Sequence, residues 1–491
     1  MKKRKASTWR PRNLAAVLIA AALSAPPAMA ANDAMVQLLK VLHDKGTIDA
    51  ETYDMLKAAA KADDEQNAAG HTEIKAAAST LPKIETRGKL EVATHDGDFS
   101  WRIGGRTHLD GAVYGNDEGT NALGNPRRTA MAGGTDMRRA RLELAANLWR
   151  VWNLRLQYEF TGSGAGGIRD AWIRYLVKGS QPGYIQVGNF KEPFSLDELN
   201  SSNSDPFIEQ ALPNVFYLSR LIGIQGSTWG RTWTLTGGVF GDNIAPGANQ
   251  PGCTGSGCTG NDTEGYSFTG RFTWSPIHSE SSDRVLHFGL AGSWRRPDMG
   301  NVVRYAARPE SFVARDALID TGSIGRVEAI RRVGVEAAGN YGPLSLQGEY
   351  FYNGLERDGP NVRDVDFDGW YILGTYVLTG ESRVYKFEEG VFDNPKPRRI
   401  VGKGGIGAWE LAMRYSAVDL EDAEIATANC RVTPAATITC GSQSNFTFGV
   451  NWYPNTNLKF MANYVKVLDL DGGLFDGASP DIFQLRAQAY W

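Results

Sequence analysis

The chain has 491 residues, with 52 Lys and Arg against 55 Asp and Glu, 42% apolar residues, 56 Gly, 13 Trp, 18 Tyr and 20 Phe, but only 4 Cys and 6 His. A formal charge of −3 lacks the basic excess of nucleic-acid binders, and past the first thirty residues no window holds the roughly 18 to 20 apolar residues that a spanning helix needs. An aromatic- and glycine-rich chain of modest mean hydropathy remains compatible with a transmembrane barrel, because half of each such strand is polar.

Lys2, Lys3, Arg4 and Lys5 precede the apolar run "LAAVLIAAALSA" and then Ala28-Met29-Ala30. A charged start, an apolar stretch and a small-residue cleavage site predict a secretory signal peptide over 1–30. Residues 31–87 read as a periplasmic helical hairpin and linker. "MVQLLKVLHDKG" places Met35, Leu38, Leu39 and Leu42 on one stripe ending at Gly46, and "DAETYDMLKAAAKADDE" restarts with Asp49 as N-cap. The stripe is too short to be stable alone, so it needs a partner: an oligomer neighbour, the underside of a barrel, or the cell wall.

Over 88–491 the pattern changes to short alternating segments separated by Gly, Asn, Asp and Pro. Sixteen strands are predicted, near 99–115, 136–149, 153–162, 167–177, 183–193, 219–229, 232–242, 265–275, 284–296, 331–341, 344–354, 366–379, 407–419, 443–453, 457–468 and 480–491. Tight connections such as "RVWN", "YGP" and "YPNTN" alternate with longer polar ones; the exception is 380–406, a long connection on the short-turn side. An even strand count with short turns on one rim predicts an all-β fold, a 16-stranded antiparallel transmembrane barrel with both termini in the periplasm.

The faces predict what each side touches. In the closing segment "FQLRAQAYW", Phe483, Leu485, Ala487, Ala489 and Trp491 alternate with Gln484, Arg486, Gln488 and Tyr490, and Trp409, Leu411, Met413 and Tyr415 share one face of another strand. The opposite faces hold Thr, Ser, Asn, Glu and Arg, which would be intolerable in a soluble sandwich core. The apolar face therefore meets lipid and the polar face lines water, with Trp491 at the periplasmic interface.

This register turns Arg102, Arg106, Arg139, Arg141, Arg155, Arg174, Arg271, Arg295, Arg332, Arg414, Lys459 and Arg486 inward, against Asp110, Glu143, Glu159, Asp170, Glu336, Glu349 and Glu410. The lumen should favour anions, since basic rings select them; the alternative is that these arginines only brace the wall by pairing with the acids. His108 and Asp110 share the inner face of the first strand, yet no serine stands beside them as a nucleophile, and neither catalysis nor a cofactor is expected. Two close cysteine pairs, Cys253 with Cys258 and Cys430 with Cys440, read as loop-closing disulfides in an exported protein, not as metal ligands. "GSGAGG" at 162–167 lacks the Lys-Ser/Thr of a phosphate loop and reads as a hairpin tip.

"RRARLEL", "DAWIRYL", "IQVGNFKEPFSLDEL", "FIEQALP", "YVLTGESRVYKFEEGVFDNPKP", "GAWELAMRYSAVDL" and "FGVNWYPNTNLKFMANYVKV" stand in that order, and together they resemble the phosphate-selective porin O and P family. The resemblance implies a homotrimer of separate pores in outer-membrane lipid and lipopolysaccharide, each narrowed by inward-folded third and fifth loops and passing inorganic anions. It also implies constriction residues at Arg138, Arg139, Asp170 and Lys191. Strict alternation points Arg138 at lipid unless a bulge turns it inward. Two departures bear on phosphate selectivity: the third loop is acidic through Asp197, Glu198, Asp205 and Glu209, and the fifth, 297–330, has no lysine. The expected function is passive, anion-biased diffusion; the alternatives are a general porin, or a structural protein tethered to the cell wall through its helical leader.

Overall fold

The computed structural model describes residues 29–63, 65, 81–86, 88–115, 118–120, 126–128, 131–161, 167–244, 264–297, 301–313, 317–360, 362–422, 431–432, 438–473 and 475–491. The chain divides into two compact units at Pro82/Lys83.

In the first unit, helix α1 spans Met29–Asp44. It closes at Gly46, whose φ is +70°, with Thr47 N donating to Leu42 O at 2.9 Å; glycine enters this left-handed close without a Cβ penalty. Helix α2 runs from residue 50 to 63. It starts behind the expected cap, since Asp49 Oδ1 accepts from the Thr52 amide at 2.8 Å. Leu39 and Ala60 are buried while Met35, Leu38 and Val41 are exposed. The expected leader lies outside the described residues, except that α1 already includes Met29 and Ala30.

The second unit is a closed antiparallel sheet whose strands are β1 Phe99–Gly115, β2 Gly134–Leu148, β3 Trp152–Glu159, β4 Gly167–Val177, β5 Gly183–Lys191, β6 Arg220–Trp229, β7 Trp233–Phe240, β8 Tyr266–His278, β9 Arg284–Arg296, β10 Val327–Tyr341, β11 Leu344–Arg357, β12 Val365–Val377, β13 Ala408–Asp419, β14 Ser442–Tyr453, β15 Leu458–Asp471 and β16 Asp481–Tyr490. Each pairs with the next, and β16 returns to β1 with Arg486 opposite Asp110. Closure leaves no unpaired edge, as a hydrocarbon layer demands. All sixteen expected strands are present; β10 shows one of the larger shifts, beginning at Val327 instead of 331. Two short strands, Lys83–Glu85 and Leu90–Ala93, pair with each other and extend the sheet along the start of β1. They are too short for alternation to reveal.

Exposure follows the period of two. On β9, Leu290 is 54% exposed and its neighbour Ala291 is 2%. Aromatics gather on the outer surface, with Trp409, Trp452 and Phe460 stacked in a row at 5.6 and 5.4 Å, as interfacial girdles do. Trp491 lies over Gly105, where a Cβ would come within 2.6 Å of its ring, so only glycine lets the last residue lie flat on the wall.

Three segments fold into the lumen. Loop three follows β5 and contains one helical turn, Leu196–Leu199, and a 3-10 turn, Leu212–Phe216. Loop five follows β9. The connection after β12 carries a hairpin, Arg383–Lys386 with Val391–Pro395, so the long segment expected on the short-turn rim turns back into the barrel. Phe207, Phe216, Tyr305, Leu318 and Ile319 from these loops pack with inward Phe351, Phe367 and Leu373 of β11 and β12. The loops thus fill the barrel against its later strands and leave β1 to β6 facing open space.

Candidate functional site

A cavity of about 2280 Å³ runs between loop three and the inner face of β1 to β6; Arg102, Arg106, Arg138, Arg139, Arg141, Arg155, Asp170, Arg174 and Lys191 line it, whereas Arg295, Arg414, Lys459 and Arg486, also turned inward by alternation, do not. Among the described residues, seventeen basic side chains line it against eleven acidic ones.

Two bulges shape its wall. Between β1 and β2, His108 faces Arg139 and Leu109 faces Met137, which leaves Arg138 without a counterpart. The extra residue turns inward. Its guanidinium donates to both oxygens of Glu209 at 2.8 and 3.0 Å and lies 3.7 Å over the Phe312 ring. Strict alternation would have put it in lipid. Between β3 and β4, Leu156 faces Ala171 and Tyr158 faces Ile168, so Arg169 and Asp170 together oppose Gln157. Arg169 thereby joins the cavity lining, a residue that alternation misses. An adjacent Arg-Asp pair inside an apolar strand was the available signal. Arg220, at the start of β6, was missed too; its Nε donates to Asp170 Oδ1 at 2.7 Å.

Some of the wall is braced. Glu143 accepts from Arg102 at 2.7 Å and Arg155 at 2.5 Å, Arg155 also lies 3.5 Å from Asp170, and Arg141 meets Glu159 at 2.5 Å. Other bases have neutral partners: Arg106 donates to Ser202 Oγ at 2.9 Å and Arg174 to Gln186 at 2.7 Å. Arg139 makes no ion pair among the described residues, and its Nε is buried without a partner. Lys191 turns to loop three, donating to the carbonyls of Glu198 and, at 2.9 Å, Asn200, with the Glu198 carboxylate 3.7 Å away.

Loop three is pinned by the opposite wall. Arg414 donates to Glu209 O at 3.0 Å, Arg486 to Ile208 O at 2.6 Å and Lys459 to Asp205 O at 2.6 Å. Glu349 accepts from the Leu196 and Asp197 amides at 2.7 and 2.8 Å, a carboxylate placed on the free donors of the loop's helical turn. These contacts add partners that the strands alone do not show, because loops supply Glu192, Glu198, Glu209 and Glu310 to inward bases. Within loop three, burial opposes ionisation of Glu209, but Arg138, Arg486 and Arg139 outweigh it and hold the carboxyl well below its ordinary range. At Asp205 burial wins, with help from Asp197, and the carboxyl is pushed up to about 7.

His108 is fully buried, its Nε2 3.2 Å from Asn203 Oδ1. Asp110 pairs with Arg486 at 2.7 Å instead, so His108 and Asp110 do not stand as a base with its orienting acid. No metal-holding cluster occurs among the described residues. Cys440 is disulfide-bonded; Cys253, Cys258, Cys430 and the tip at 162–166 lie outside the described residues.

A sequence model of the phosphate-selective porin O and P family matches residues 102–491. Porin O of Pseudomonas aeruginosa is 29% identical over 407 residues, covering 78% of this chain and 86% of that protein. An uncharacterised Caulobacter vibrioides protein is 28% identical over 400 residues, covering 80% of this chain and 73% of its own length. Among solved structures, an anion-selective porin from Comamonas acidovorans aligns with a TM-score of 0.45 and 13% identity, over 80% of this chain and all of that one.

Proposed function

Because the chain belongs to the phosphate-selective porin O and P family, and so to the channels of the bacterial outer membrane, we propose that it passes small inorganic anions of the phosphate or polyphosphate class by passive diffusion along the arginine wall of β1 to β6. The observation that carries this reading is the excess of bases over acids around one continuous cavity. A low-dielectric wall concentrates counter-ions, the forked guanidinium suits oxyanions, and weak successive sites let an ion leave again. Arg106, Arg139 and Arg174, which have no carboxylate ion-pair partner among the described residues, are the groups that would exchange hydration for contact with the ion; Arg138, Arg141, Arg155, Arg102, Asp170 and Lys191 set the field around them. The short-turn rim faces the periplasm on this reading, with the helical unit there after cleavage of the leader, and three copies associate in lipid and lipopolysaccharide.

A weakly selective pore is the second reading, favoured by the loop carboxylates on Arg138 and Lys191. Reversal potentials of single channels under a KCl gradient separate the two, followed by block with phosphate, pyrophosphate or sulfate. A reversal potential on the cation side would sink the anion reading. Deleting residues 31–80 should leave conductance intact; its loss would favour a role centred on the helical leader.

A further inference from the structure

We propose that Glu209 is a specificity-determining residue: a resident carboxylate that occupies the oxyanion position on Arg138 and thereby weakens the channel's hold on its anions. The inference rests on the anion-channel reading above.

The carboxylate is presented to the pore by backbone contacts independent of its own charge. On either side of its Cα, Ile208 N donates to Asn463 Oδ1 at 2.7 Å, Ile208 O accepts from Arg486 at 2.6 Å, and Glu209 O accepts from Arg414 at 3.0 Å. The side chain then meets Arg138 through both oxygens at 2.8 and 3.0 Å, and Arg486 Nη2 approaches Oε1 at 3.0 Å. This is the two-pronged geometry by which guanidinium recognises a carboxylate or phosphate.

Four observations separate it from a simple wall brace. Arg138 sits on a bulge, so its pairing with Glu209 secures no ladder contact. Both side chains line the cavity and keep 20% and 16% of their surface open, so a passing ion can compete. Arg486 already has a partner in Asp110, through two contacts of 2.7 Å. Arg139, next along the chain, has no ion pair among the described residues and an unpartnered buried Nε. Lifting Glu209 off Arg138 would therefore set two adjacent guanidinium groups free, a pair able to hold one dianion. In the native chain an entering anion finds one free and one already occupied.

The test compares wild type, Glu209→Gln, Arg138→Gln and the double variant as purified channels in planar bilayers, using KCl gradients and inorganic phosphate as blocker. Glu209→Gln keeps size and the backbone anchors while removing the charge. It should raise the chloride-to-potassium permeability ratio about twofold or more and lower the half-blocking phosphate concentration about threefold or more, as freed basic groups do in a selective pore. With Arg138 already replaced, the same change should have a smaller effect on phosphate block, because the two residues act as one unit. Should the Gln variant fail to insert, Glu209→Asp, which draws the charge back by one methylene, should move both readings the same way by less. An anion-selective wild type with Glu209→Gln, or Glu209→Asp in its place, unchanged in both readings would overturn the role of Glu209 alone. A wild type without anion preference would instead remove the channel reading on which it stands.

Discussion

Along β8 to β16 the inward arginines are sealed. Arg332 and Glu192 meet at 2.8 Å with each side chain 1% exposed, and Arg414 and Glu310 at 2.5 Å with 2% and 1%. Along β1 to β6 the same residue type, at the same parity of register, is sealed only in part: Arg106 and Arg141 are buried, while Arg102 keeps 45% and Arg155 31% of the side chain open. The difference is made by the loops, which bring carboxylates and apolar cover to one wall and mostly hydroxyl and amide groups, Ser201 to Ser204, to the cavity side of the other. An inward arginine is therefore a strut or a part of the pore according to what folds over it.

The largest expected effect would break that contrast on the sealed side. Glu192→Ala strands the Arg332 guanidinium in a dry site, where removing one partner of a buried pair costs about 3 to 5 kcal/mol. Urea unfolding of the refolded barrel in lipid vesicles, followed by tryptophan fluorescence, should show that loss. Arg102→Ala on the open side should cost less than about 1 kcal/mol, the usual ceiling for an exposed pair, since Glu143 keeps Arg155. Equal losses in the two variants would refute the division into sealed and open walls.

A second comparison sharpens the open side through permeation. Arg139→Gln removes a charge that makes no ion pair among the described residues, and should cut the chloride-to-potassium permeability ratio about two- to fivefold, as loss of one group from a basic constriction does. Unfolding should be little changed, because no ion pair is broken. A variant with unaltered selectivity would place the working charges elsewhere along the wall.

Much of this arrangement was legible before any coordinates. Alternation in segments such as Leu286 to Trp294 and Phe446 to Trp452 located the strands and told their faces apart, because lipid and water demand opposite chemistry every second residue. Parity then required an even count. The bulges at Arg138 and at Arg169-Asp170 were not legible from periodicity, since one inserted residue reverses the face without changing composition; the family resemblance supplied the first and neither route supplied Arg169. Loop folding was hidden for another reason. Glu192, Glu209 and Glu310 find their partners 140, 71 and 277, and about a hundred residues away, distances over which no local pattern extends, so which inward bases are paired could not be read from the strands alone.

The smallest expected effect concerns pH, and it tests whether the loop side of the cavity takes part in selectivity at all. Asp205 lines the cavity, its Oδ1 is buried without a partner, and burial with Asp197 nearby pushes its carboxyl to about 7 against the pull of Lys191, Arg139 and Lys459. A carboxyl whose folded value is raised favours the protonated native state. Its ionisation costs nothing below pH about 4, an increasing amount as pH climbs toward 7, and the full amount above it. Lowering pH from 8 to 6 should therefore both steady the barrel slightly and remove one negative charge from the pore lining. Glu209 stays ionised throughout, because Arg138, Arg486 and Arg139 hold it far below that window. The chloride-to-potassium permeability ratio of the wild type should rise by less than about twofold over this span, as expected for one charge among many. Asp205→Asn should start at the higher ratio and show little pH dependence across the same interval. If both proteins respond alike, the titrating group lies outside loop three, and the selectivity of the channel belongs to the strand wall alone.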